Sequence, residues 1–156
     1  GTGSDHAGQL RVYNKEGITS SYLGDGYYQA YNQFGERTLF LGTGTSGGGY
    51  LRTYNFEGQE TMYIGTGADS SGQLRVYDSA GETGTFLGSG YFRTYNQFGK
   101  MTTYLGNGRD GGGYLRTNNK FETETSFLGT NNSNEGLINL NDKFGQSFWI
   151  RLNKGN

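Results

Sequence analysis

Apolar and polar positions alternate with period two over short runs, and each run breaks at Asn and Gly. In residues 49–55, Leu51, Thr53 and Asn55 fall on one side, while Arg52 and Tyr54 fall on the other. The first side is repeated by Leu10, Val12 and Asn14, by Tyr28, Ala30 and Asn32, and by Leu74, Val76 and Asp78. Arg11 with Tyr13, Arg75 with Tyr77 and Arg93 with Tyr95 repeat the second. Alternation of this kind predicts half-buried strands. The Asn-x-x-Gly step that follows is turn chemistry, because Asn bonds its own main chain and Gly takes positive φ at little steric cost. A second short strand then ends at Gly, as in residues 61–65.

The whole unit reads L-R-x-Y-N, two residues, G, five residues, L-G. Copies run over 10–24, 28–42, 51–65, 74–88, 92–106 and 115–129, with an altered copy at 137–152. The first three copies match the next three at a constant offset of 64 residues, from Thr2 to Thr66. Residues 2–129 are therefore two blocks of three strand-turn-strand repeats, and 130–156 are a divergent terminal repeat. A strand-turn-strand unit must stack on like units to bury its apolar side. Three units per block predict three faces, with Gly47-Gly48-Gly49 and Gly111-Gly112-Gly113 as corners between them. The expected fold is all-β, a repetitive β-solenoid or triangular β-prism. Either one chain winds alone, or three chains intertwine as a homotrimeric β-helix.

Composition favours the second form. Hydrophobic residues make up 31% of the 156, and the roughly 45–50% apolar share of an ordinary soluble domain, which counts Gly, is approached here only through the 30 Gly. A row of one large apolar, one small and one polar residue per strand, read as inward, suits a narrow core shared by three chains. The Arg/Tyr row is read as outward. Disorder is disfavoured by 13 Tyr and 10 Phe in repeating positions. The 30 Gly occur without any Pro, which excludes a collagen pattern. A formal net charge of −1 with no basic patch argues against a nucleic-acid partner. No apolar run approaches the ~20 residues of a membrane-spanning helix, so no membrane insertion is expected. The chain opens inside a repeat and is read as a segment of something longer.

These repeats, Y-N-x-x-G with a short strand, L-G and G-x-G turns, resemble the shaft repeats of phage tail fibres and tail spikes. They are also similar to bacterial adhesive fibres built the same way. The resemblance covers residues 2 to about 152. It implies a trimeric, often triple-stranded β-helix at the virion surface or outside the cell, which holds or forms a part that binds a cell-surface glycan or protein.

Candidate chemistry is sparse. Absence of Cys removes disulfides and Cys-based metal sites. His6 is the only histidine, so one chain holds no His-based triad or metal cluster. Three copies of His6 on a trimer axis are the remaining option, against a solvated turn residue. Asp5, Asp69 and Asp110 lie in Gly-rich turns without calcium-loop spacing and read as turn-bonding residues. No catalytic residue, metal or cofactor is expected, and the chain is read as non-enzymatic. Trp149, Phe148 and Arg151 in the terminal repeat are candidate binding residues, although terminal repeats are also atypical because they cap a stack. Tyr27 and Tyr91, in Gly-Tyr-Tyr and Gly-Tyr-Phe segments, join them. The Arg/Tyr rows are read as stacking among themselves in preference to a glycan ladder. Thr53, Thr94, Thr117 and Thr61, Thr102, Thr125 are read as strand residues in preference to an ice-binding face. Two alternatives to the fibre remain: a fibre-borne polysaccharide-degrading domain, and a monomeric repeat lectin similar to choline-binding repeats.

Overall fold

The computed structural model describes residues 1, 8–44 and 47–152, with the side chain of Leu152 left aside. His6 and Asp5 lie outside the described residues. Every described element is a strand. The strands fall in two compact units, residues 1–81 and 82–156.

The first unit holds β1 (Gln9–Tyr13), β2 (Thr19–Gly24), β3 (Tyr27–Tyr31), β4 (Arg37–Thr43), β5 (Gly49–Tyr54), β6 (Glu60–Thr66) and β7 (Gly72–Tyr77). The second holds β8 (Thr83–Gly88), β9 (Tyr91–Tyr95), β10 (Met101–Asn107), β11 (Gly113–Asn118), β12 (Glu124–Thr130), β13 (Gly136–Asn141) and β14 (Ser147–Leu152). Within each unit every strand pairs antiparallel with the next in chain order. Each unit is thus an open, one-layer meander.

The expected corner between repeats does not occur within either unit. Each hairpin joins the edge of the one before it, as Leu41 of β4 facing Leu51 of β5 shows. The Gly runs at 47–49 and 111–113 are hairpin turns in one sheet, not corners between faces. Gly44 N–H donates to Gly48 O, and Gly47, at φ 82°, donates to Gly44 O. A left-handed Gly closing a connection in this way is common in antiparallel hairpins. The opposite edge repeats it: Asn14 N–H donates to Ile18 O, Gly17 N–H donates to Asn14 O, and Asn14 Oδ1 accepts from Glu16 and Ile18 N–H. The short connections leading into the second and fifth copies are two-residue turns, Asp25-Gly26 and Ser89-Gly90, with positive φ at both positions.

At the sixth turn Glu122 stands where Gly would, at φ 65°. Its carboxylate accepts the Met101 N–H at 3.0 Å and pairs with Lys100 Nζ at 3.3 Å, so this strained turn ties two hairpins together. These contacts, the Met101 bond first, hold the Glu122 carboxyl below its usual 4.5. A lowered folded-state pKa stabilises fully above the unfolded value, and the contribution is lost as pH falls through the folded value. The stability gap between wild type and Glu122→Gln is therefore expected to shrink from about pH 7 to about pH 3 in urea titrations. A gap independent of pH would contradict this.

Candidate functional site

Directly opposed residues in an antiparallel sheet share a face, so the register builds two different faces. One carries a central aliphatic row. In the first unit it runs Leu10, Leu23, Tyr28, Leu41, Leu51, Ile64, Leu74. In the second it runs Leu87, Phe92, Leu105, Leu115, Leu128, Ile138 and ends at Arg151. To one side of this row stand mostly smaller residues, among them Val12, Ala30 and Thr53, then Thr94, Thr103 and Thr117. To its other side, two residues back along each odd-numbered strand, stand glycines.

The other face is aromatic. Tyr22, Tyr27, Phe40, Tyr50 and Tyr63 stack in turn, with ring centroids 4.9–5.8 Å apart. In the second unit Phe86, Tyr91, Tyr104, Tyr114 and Phe127 do the same at 4.7–5.6 Å. Glycines make room for this ladder. Tyr50 sits between Gly42 and Gly65, and Tyr114 between Gly106 and Gly129. A Cβ on Gly106 would lie 2.5 Å from Tyr91 Cβ and 2.8 Å from Gly90 O. Gly106→Ala is accordingly expected to destabilise the unit by about 1–3 kcal/mol through overpacking, read from the urea midpoint. The aromatic residue two places before the Gly leans into the same gap at Gly42, where Phe40 Cε1 would lie 3.1 Å from a Cβ.

Arginines cover the ladder. Arg52 Cζ lies 4.8 Å from the Tyr50 ring centroid and 5.4 Å from that of Tyr63. Arg93 lies 4.2 Å from Tyr91 and 5.4 Å from Tyr104. Arg52 also pairs with Glu60 at 3.2 Å. Buried beneath this layer, the Tyr22 hydroxyl donates to Asp25 Oδ2, and its pKa is pushed up to about 12, mainly by desolvation.

Within a single chain, burial falls on the Arg/Tyr face. Among the described residues the buried hydrophobic ones are Tyr22, Phe40 and Tyr104, at 7–9% exposure, all on the face read as outward. Leu10 is 60% exposed, Leu23 and Leu105 are each 53% and Leu41 is 50%, on the face read as inward. Rings that stack with their neighbours shield one another, whereas a single row of leucines in one layer has nothing above it.

Within the second unit the candidate binding residues do not share one face, and Tyr27 lies in the first unit. Tyr27 and Tyr91 are internal members of their ladders, each between two other rings. Stacked this way along the sheet, the rings turn their edges outward, and a sugar ring needs a face. Trp149 lies opposite Leu140, and Arg151 opposite Ile138, both on the aliphatic face. Phe148 occupies the bulge of the last hairpin, where Thr61, Thr102 and Thr125 stand in earlier ones. Each of those threonines bonds a threonine of the strand before it: Thr53 and Thr61 hydroxyls are 2.8 Å apart, Thr94 and Thr102 2.9 Å, and Thr117 and Thr125 3.1 Å. Asp69 Oδ1 accepts from the Ser71 N–H and hydroxyl, as a turn residue does. Among the described residues there is no group of three or more His, Cys, Asp or Glu able to hold a metal, and no helix long and apolar enough to cross a membrane.

Two features escaped the sequence reading. The aromatic-Leu/Ile-Gly triplet at or next to the end of each even-numbered strand up to β12 signals the ladder. The tip phenylalanines Phe34, Phe56, Phe98, Phe121 and Phe144, exposed at 69–73%, line the Asn-x-x-Gly turns. No protein-family model matches the chain, and no curated protein matches it.

Proposed function

We propose that the chain is a structural segment of a homotrimeric fibre, non-enzymatic, that holds or presents a part attaching to a cell-surface glycan or protein outside the cell or on a virion. The observation that carries this reading is the exposed aliphatic row. Seven strands about 4.8 Å apart and roughly 20 Å long give each unit a face on the order of 700 Å². A stable protein interface buries about 800 Å² per partner. Two such faces per chain are ample, and leaving them in water is costly at about 25 cal/mol per Å² of apolar surface.

Three copies fit the row better than two. Two sheets packed face to face leave an even gap of about 10 Å and need large side chains across their width. Three sheets in a triangle leave room at the middle of each face and little where the faces converge. With sides of about 20 Å, the axis lies roughly 6 Å from each sheet, within reach of a leucine. Large residues in the centre and small ones at the margins match the triangle. Trp149 and Phe148 then belong to the shared interior and close it, so the cap reading is favoured over a binding tip. The Arg-covered ladders face water.

Lysine-directed cross-linking of the dilute protein, resolved on a denaturing gel, tests this. Bands at one, two and three chain masses, and none beyond, are expected. A pattern that stops at one chain or at two overturns the proposal.

A further inference from the structure

Each odd-numbered strand carries a glycine two residues before its central aliphatic residue: Gly8, Gly26, Gly49, Gly72, Gly90, Gly113 and Gly136. Gly26 and Gly90 have positive φ, and their turns require glycine. The others do not need it. Gly8, Gly49, Gly72, Gly113 and Gly136 are absent from the positive-φ residues. A Cβ on Gly8, Gly72, Gly113 or Gly136 would meet nothing within 4 Å, and on Gly49 only Gly42 O at 4.0 Å. All five are exposed. Glycine at such a place weakens a strand, and its recurrence marks close approach by another group. Among the described residues nothing approaches closer than the 4.0 Å at Gly49.

The opposite margin carries the counterpart. Phe34 and Phe56 in the first unit, and Phe98, Phe121 and Phe144 in the second, stand on tips that recur every two strands, about 9.6 Å apart. The glycines of the other margin recur at the same interval, also every two strands. An occupant with that spacing over a whole unit is a second copy of this chain. We infer that the tip phenylalanines of one copy pack over the glycine-lined margin of the next, and that this margin-to-margin contact sets the closure of the ring. Such a contact is heterologous, one margin against the other, and a heterologous contact that closes gives a cyclic assembly. This inference rests on the trimeric reading above and adds which surfaces meet.

The test uses the absence of cysteine from the chain. Phe98, Phe121 or Phe144 is replaced by Cys in combination with Gly113→Cys or Gly136→Cys, and the native protein is oxidised. At least one pair is expected to give covalent species of up to three chains, while each single variant gives none. Cross-linking by a tip variant alone, or by no pair, overturns the inference. A second arm replaces Gly49, Gly72, Gly113 and Gly136 together by Val, and in a milder variant by Ala, with mass read by analytical ultracentrifugation. The Val variant is expected to fall from three chains to one. A wild-type trimer whose Val variant also stays trimeric overturns this inference and leaves the trimeric reading standing. A wild-type monomer removes both.

Discussion

Replacing Tyr104 by Ala is expected to destabilise the second unit by about 3–5 kcal/mol, the range for a large buried aromatic. Tyr104 is 7% exposed, stacks on both Tyr91 and Tyr114, lies under Arg93, and donates its hydroxyl to Asn107 O at 2.7 Å. Its loss breaks the ladder in the middle. Tyr104→Phe keeps the ring and drops one hydrogen bond, so about 1 kcal/mol is expected. Tyr13→Ala, at a position 55% exposed, should stay within about 0.5 kcal/mol. Urea unfolding of the three variants checks the order. Equal losses for Tyr104→Ala and Tyr13→Ala would show that the rings do not supply the packing.

The second large effect is on assembly. Leu41→Asp combined with Leu105→Asp places one carboxylate at the middle of each aliphatic row. Both leucines are half exposed in the chain alone, so little packing within the sheet is lost. In a shared interior the same change brings three carboxylates together near the axis, which desolvation and mutual repulsion make untenable at neutral pH. Light scattering should show the particle falling from three chains to one. If strand content falls with it, that is expected where folding and assembly are linked. The same double change made on the ladder face, at Gln29 and Asn139, should leave the mass unaltered. An unchanged mass for the leucine variant would mean that its row faces water in the working protein.

Much of the fold was legible in the chain. Leu51, Arg52, Thr53 and Tyr54 alternate in sequence and do so in β5, and the Asn-x-x-Gly steps are the hairpin turns they resemble. The order of the strands was not legible, because period-two alternation says which side a residue takes and nothing about the next hairpin's direction. A hairpin that continues its neighbour's sheet and one that turns a corner carry the same local pattern. Which face one chain buries by itself was not legible, for a physical reason. Leu51 is more hydrophobic than Tyr50 or Arg52, but burial in one layer depends on neighbours on the same face. Stacked rings with glycine gaps supply them, and lone leucines do not. Trp149 drew notice as the only tryptophan, yet the register puts it in line with Thr117 and Leu140 and away from Tyr91. The spare glycines, by contrast, were visible in sequence only as turn residues; their ordinary φ and empty surroundings set them apart.

The account stands on three copies covering one another's aliphatic rows. Static light scattering of the purified chain at micromolar concentration measures this directly. A mass three times the 17.1 kDa of one chain is predicted across a tenfold dilution; a folded particle of a single chain, or of two, would contradict it.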